Sequence, residues 1–238
     1  MIKDWPDMLG LPLWFWLFCA PVLLAVILVI FRQQSLSYLR NIWRMLDRLY
    51  FGFGVVAACF MVSILLIIVV QMIARWTGFT FEGSTEFAGY AMAATSFFAL
   101  AHALSRGAHI RVSIFLNLNR FTRFWLDAFA MMVAAITATY FARFAIKTNF
   151  MSEMLNDRTQ GQDQVPDMLM YILSLFATSP LSWADQLDKV SGEWIYTPVW
   201  VPQIAMSIGT ILLAICLWDH FIRLVVTGAS EITSETVE

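Results

Sequence analysis

The sequence predicts an all-α integral membrane protein: four core transmembrane helices, an additional N-terminal membrane helix, and an amphipathic helix at the cytoplasmic face. Three observations carry this. The 238 residues are 60% hydrophobic and 13% charged, about half the charge of an ordinary soluble domain. Five apolar stretches approach the roughly 20 residues a helix needs to cross a bilayer core. Arginines concentrate in alternate loops. Backbone groups in lipid must be satisfied within their own segment, so spans of this length are helices.

The core spans are expected at residues 51–74, 85–105, 124–142 and 199–218, and the extra N-terminal helix at 11–31. The last of these is no typical leader. Its start is mildly acidic, its apolar run is long, and it ends in Phe-Arg-Gln-Gln without a small-residue cleavage pattern. The whole chain reads as one membrane domain, 1–238, with an extended outer segment at 143–198.

Orientation follows from basic residues in short loops. Arg32, Arg40, Arg44 and Arg48 precede the second stretch, and Arg106, Arg111, Arg120 and Arg123 follow the third. Both groups are expected in the cytoplasm. The 143–198 segment carries seven acids against Arg143, Lys147, Arg158 and Lys189, and is expected outside. Trp76 and Trp200 then mark outer ends and Trp43, Trp125 and Trp218 inner ends, as interface-seeking tryptophans do.

Residues 36–50 follow a different pattern. Leu36, Leu39, Ile42, Trp43, Leu46 and Leu49 recur at helical spacing, with Arg40, Arg44, Asp47 and Arg48 on the other face. This is the pattern of a helix in the interface plane, its arginines toward anionic headgroups. In the outer segment, Met168 to Phe176 is apolar but too short to span, and is expected to be a short surface helix.

Small residues recur every four positions at Ala130, Ala134, Ala138 and Ala142, and pair at Gly54 and Ala58, Gly89 and Ala93, and Ala205 and Gly209. Such spacing allows close helix approach, within the chain or to another subunit.

Chemistry is poorly represented. Cys19, Cys59 and Cys216 lie in apolar runs and form no ligand pair. Of the histidines only His102 falls within a span, with His109 in a loop and His220 at a helix end, so the paired ligands of a haem anchor are missing. No nucleophile, acid pair or metal-ligand cluster points to an enzyme acting on lipid. Neither cofactor nor catalytic residue is expected. A net charge of −2 without an aromatic and basic stripe gives no reason to expect nucleic acid. Ionisable residues inside spans mark solute paths, and here Glu86 and Asp127 sit only at helix starts, where a carboxylate suits the helix dipole.

Two stretches resemble a known family. One runs Glu86-Phe-Ala-Gly-Tyr90 and continues to Ser105-Arg-Gly-Ala-His-Ile-Arg-Val-Ser113. The other is Thr197-Pro-Val-Trp-Val-Pro-Gln203, with Gly209 and the inner end Asp219-His-Phe-Ile-Arg223. Together they resemble the small membrane subunit of TRAP transporters, the DctQ-type permease, over roughly residues 45 to 150 and 195 to 225. Three features depart from the family pattern. Ser113 stands where its loop motif ends in Asp, the outer segment is longer, and the N-terminal stretch is additional. The resemblance implies a scaffold subunit in the bacterial inner membrane that braces a large transport subunit. With it come a periplasmic solute receptor and ion-coupled uptake, often of a carboxylate. It singles out Glu86, Tyr90, Gly107, His109, Arg111, Trp200 and Pro202 as interface residues toward partner or lipid. A membrane anchor of a redox complex is the alternative reading.

Overall fold

The structure is a computed structural model that describes residues 5–107, 120–175, 190 and 192–228. We call the end bearing the arginine-rich loops inner and the opposite end outer. A tight hairpin pairs β1 (Asp7–Met8) with β2 (Leu11–Pro12). It leads into α1 (Phe15–Ile30), whose first turn, Phe15–Cys19, is a π-helix. The widened turn lies just ahead of Pro21, which lacks the N–H that the next rung would use.

Four longer helices follow: α2 (Arg32–Thr77), α3 (Ser84–Ser105), α4 (Arg120–Met154) and α6 (Trp200–Thr227). All four contain a stretch long and apolar enough to cross a membrane. Between α4 and α6 the chain forms β3 (Gln164–Pro166), the short helix α5 (Asp167–Leu175) and β4 (Trp194–Tyr196), with β3 and β4 paired antiparallel. The expected short surface helix is therefore present.

Four boundaries differ from the sequence reading, one being the last span, expected at 199–218 and found as α6 running on to Thr227. The N-terminal helix is Phe15–Ile30 rather than residues 11–31, and its length falls short of the roughly 20 residues of a full span. Residues 36–50 are helical but not a separate element: they begin the 46-residue α2, which runs unbroken into the second span. The change there is from amphipathic to uniformly apolar composition. The backbone does not register that change, because no proline interrupts the hydrogen-bond ladder. Gly78, at φ 80°, ends the helix in a left-handed cap. Finally, α4 does not stop at Ala142 but continues to Met154, so Arg143 and Lys147 belong to a helix rather than to an outer segment.

Specific contacts set the register between helices. In the antiparallel α2–α3 pair, the Thr95 hydroxyl donates to the Ala57 carbonyl at 3.4 Å. In the parallel α3–α6 pair, the Cys216 thiol donates to the Ala101 carbonyl at 3.5 Å. The antiparallel α4–α6 pair is pinned at three heights. Asn149 donates to the Trp200 carbonyl at 2.9 Å, Ser207 to the Ala145 carbonyl at 3.3 Å, and Trp218 Nε1 to the Thr139 hydroxyl at 2.9 Å. Helix α6 thus sits between α3 and α4 and contributes the largest share of the buried core, including Leu212, Cys216, Leu217, Phe221 and Leu224.

Only some of the small residues act inside the chain. A methyl group added at Gly209 would lie 2.5 Å from the Phe97 carbonyl oxygen, so α3 and α6 touch backbone to side-chain stub. Gly54 accommodates the His102 ring. Ala138 and Ala142 are buried, whereas Ala58 and Ala130 are exposed and a methyl at Gly89 would meet nothing within 4 Å. Gly209→Leu should therefore force α3 and α6 apart and destabilise the detergent-solubilised chain by about 1–3 kcal/mol. Gly89→Leu should leave its thermal midpoint unchanged. Equal midpoints for the two variants would refute this packing assignment.

Candidate functional site

Two polar clusters, one at each end of the bundle, tie distant parts of the chain together. The outer cluster centres on Asp163, which is fully buried. Its carboxylate accepts hydrogen bonds from the Tyr90 hydroxyl at 2.5 Å and from the Thr159 hydroxyl at 2.8 Å. Its backbone carbonyl accepts from the Thr197 hydroxyl at 2.6 Å and from the Thr197 amide at 3.2 Å. Glu86, in the first turn of α3, accepts from the Gln162 amide at 3.2 Å. The loop sits so close to the start of α3 that a methyl at Gly83 would meet the Gln162 carbonyl oxygen at 2.8 Å. Its φ of +76° also favours glycine.

Two predicted residues, Glu86 and Tyr90, thus meet in one site, and the Thr197 motif joins them there. Trp200 and Pro202 lie in the first turn of α6, where proline costs no internal bond; Trp200 presents its carbonyl to Asn149. Gly107, at φ 70°, donates its amide to the Leu104 carbonyl at 3.0 Å and closes the inner end of α3. His109 and Arg111 lie outside the described residues. Asp163 itself was missed: in Thr-Gln-Gly-Gln-Asp-Gln nothing local distinguishes it from a solvated loop acid.

The inner cluster is built on Arg223 of α6. Its guanidinium pairs with Asp219 one turn earlier at 2.8 Å and with Asp47 of α2 at 2.7 Å. It also donates to the Trp43 carbonyl at 3.3 Å and lies 5.3 Å from the Trp43 ring centroid. The Tyr50 hydroxyl donates to Asp219 at 3.3 Å. The Arg223 and Asp219 side chains are only 7% and 5% exposed. The resemblance had flagged Asp219 and Arg223 as a helix end, but their partner Asp47 is 176 residues away.

Among the described residues no group of three or more His, Cys, Asp or Glu is placed to hold a metal ion. The arrangement is that of a multi-pass membrane protein whose polar residues fasten helices and an outer loop to one another. The family described as "Tripartite ATP-independent periplasmic transporters, DctQ component" matches residues 64–184, slightly more than half of the chain. The chain belongs to this family and is an inner-membrane component of a TRAP transporter. A tripartite system implies a large membrane subunit and a periplasmic receptor as partners. No curated protein and no solved structure matches the chain. The Thr197–Gln203 motif and the first 63 residues lie outside the matched region.

Burial disfavours the Asp163 carboxylate, but the Tyr90 and Thr159 hydroxyls outweigh it and hold the group below the ordinary aspartate range. A depressed folded-state value means that the stabilisation is present above the unfolded value and is lost as pH falls through the folded one. Amide exchange in the outer loop, 158–166, should therefore rise below about pH 4 beyond its intrinsic pH dependence. Asp163→Asn should raise it about tenfold at neutral pH. Exchange in the variant equal to wild type at neutral pH would remove Asp163 as the clamp. At the inner end, Arg223→Gln strands a buried carboxylate and should cost about 3–5 kcal/mol in thermal unfolding. Asp47→Asn, at a carboxylate 51% exposed, should cost about 1 kcal/mol or less.

Proposed function

We propose that this chain is the scaffold subunit of its TRAP system: it braces the large membrane subunit and forms part of the surface on which the solute receptor docks, in ion-coupled uptake of a carboxylate-type solute. In this reading the arginine-rich loops face the cytoplasm and the 154–199 region faces the receptor. The observation that carries the reading is the outer cluster. Asp163, Thr159 and Thr197 fasten residues 158–166 to α3 and to the stretch leading into α6, which gives the outer side a held loop for a receptor to meet. A docking surface benefits from such preorganisation, since little ordering remains to be done on contact.

Two further features support a bracing role. The apolar stretch of α2 is almost wholly exposed, including Val62, Leu65, Leu66, Val69 and Ile73, so it faces lipid or another subunit. The carboxylates of the inner cluster are held by Arg223, an arrangement that locks helices and leaves no open carboxylate cage for a coupling ion there. Family membership also sets aside the redox-anchor alternative.

The docking role can be tested without dismantling the clamp. Replacing residues 168–191 with a short flexible linker keeps Asp163, β3 and β4. The shortened chain should still pull down the large subunit, while receptor-dependent uptake in reconstituted vesicles should fall about tenfold, as when a contact of about 1.4 kcal/mol is lost. Omitting the whole chain should abolish uptake. Full-rate uptake by the large subunit and receptor alone would refute the scaffold role. Normal uptake with the shortened chain would refute only the docking role of this segment.

A further inference from the structure

Between α1, the first third of α2, α4 and α6 lies a cavity of about 980 Å3. We infer that this cavity is a binding site for an acyl chain of a membrane phospholipid, with the arginines of α2 selecting an anionic headgroup. The inference goes beyond the scaffold reading and does not depend on it.

The walls are nearly all hydrocarbon: Leu24 and Leu28 from α1, Ile42 and Leu46 from α2, Ile146 from α4 and Ile215 from α6. The space is a cleft open to the surroundings: Leu24, Ile42, Ile146 and Ile215 on its walls remain 41–50% exposed, so a component of the bilayer can enter it. Water is a poor occupant, because an ordered water needs two to four polar partners. Three polar side chains line the space: Thr139, Arg143 and Asp219. Thr139 already bonds Trp218 and the Ala135 carbonyl, and Asp219 is held by Arg223. A lining this largely apolar favours a hydrocarbon occupant, with Arg143 the one cation among the described residues of the wall, and in a bilayer the abundant hydrocarbon is the acyl chain.

Two observations favour lipid over a protein segment. The first is the construction of α1. Its α-helical part, Ala20–Ile30, contains no polar side chain and buries only Ala25. Leu23, Val26, Ile27 and Ile30 are at least half exposed on its outside while Leu24 and Leu28 face the cavity. A helix apolar on every side, and held to the bundle by little, has lipid-compatible surface on both faces. The second is charge. Leu39, Ile42, Trp43 and Leu46 form the apolar face that the sequence assigned to the membrane, and all four line the cavity. Arg40, Arg44 and Arg48 on the same turns are exposed. A chain in the cavity restores the lipid contact of that face, with basic groups beside it for a phosphate.

The test uses the full chain, alone and co-expressed with its large subunit, in nanodiscs of phosphatidylglycerol and phosphatidylethanolamine. Each lipid is supplied in turn with a photoreactive diazirine at the acyl end, and labelled peptides are mapped by mass spectrometry. Labelling of 24–28 and 215 should exceed that of Val62–Leu66 on the exposed apolar stretch of α2. It should be stronger for the phosphatidylglycerol probe. Ala20→Trp with Ile215→Trp, which fills the cavity, should cut this labelling about tenfold and leave Val62–Leu66 unchanged. Ala20→Leu alone should give an intermediate loss and guards against misfolding of the double variant. Replacing Arg40, Arg44 and Arg48 with Gln should erase the preference for the anionic probe while retaining cavity labelling. Cavity labelling no greater than at Val62–Leu66, or undiminished by both filling variants, would overturn the proposal. So would its disappearance on co-expression in favour of cross-links between the cavity and the large subunit. An absence of co-purifying large subunit would instead count against the scaffold reading alone.

Discussion

The architecture depends on one guanidinium that cannot be left alone. Arg223 sits near the inner end of α6 with its side chain almost fully buried. A buried cation without partners is too costly to persist, so the structure around it is dictated by where carboxylates and carbonyls can be found. One carboxylate is local, Asp219 at the preceding turn. The second, Asp47, and the Trp43 carbonyl and ring come from α2. Meeting that demand draws the first third of α2 against α6. Its apolar face then turns inward, which leaves α1 as the outer wall of the cavity. A buried ion pair is weak evidence for net stability, but it is strong as a geometric constraint, because removing one member strands the other.

Between the polar clusters at the two ends, close fit joins the interhelical hydrogen bonds of Thr95, Ser207, Cys216 and Trp218 in holding the middle of the bundle. Lipid offers no hydrophobic drive for helices to associate, so close van der Waals fit has to supply the cohesion. Gly209 against Phe97 and Gly54 against His102 provide it, while the Asp163 loop and the Arg223 cluster fix the relative heights of the helices. The outer loop gains in turn: it is anchored to the two helices, α3 and α6, whose own register the bundle has already fixed. That is how residues 158–166, with little core of their own, are held against the outer ends of α3 and α6.

The parts legible in the sequence are those with local signatures. Hydropathy and length identified the four spans, because the bilayer imposes both on each helix independently. A short motif at a helix start singled out Glu86 and Tyr90 as residues toward partner or lipid, but not their contacts with Gln162 and Asp163 of the same chain. Gly209 and Gly54 were legible as small residues, although spacing alone did not separate them from Gly89, which touches nothing within the chain. The rest required pairing information. Asp47 and Arg223 are 176 residues apart, and Tyr90 and Asp163 are 73 apart. No window reports a partnership of that separation. The union of residues 36–50 with the second span was missed for a related reason. Composition changes at Tyr50, but helix continuity depends on backbone propensity and on the pull of Arg223, neither of which hydropathy measures.

Helix lengths carry one more constraint. The sequence windows 124–142 and 199–218 are not at the same depth: Thr139 meets Trp218 and Ala145 meets Ser207, so Ala142 lies opposite the middle of α6 rather than its outer end. The apolar exposed face of α4 runs from Trp125 to Met154. At about 1.5 Å per residue this face is about 45 Å long, against a hydrocarbon core of about 30 Å. An excess of that size is accommodated by tilt, by local thickening of the bilayer, or by burial against another protein. The same register puts Arg143 deep in the α4–α6 overlap, where it lines the cavity and not the outward face, as charged residues at such depth do. A subunit packed along the outer third of α4 would cover the surplus apolar surface without deforming the bilayer. The mismatch that looks like an error of span assignment is thus surplus apolar helix, more than one membrane crossing uses.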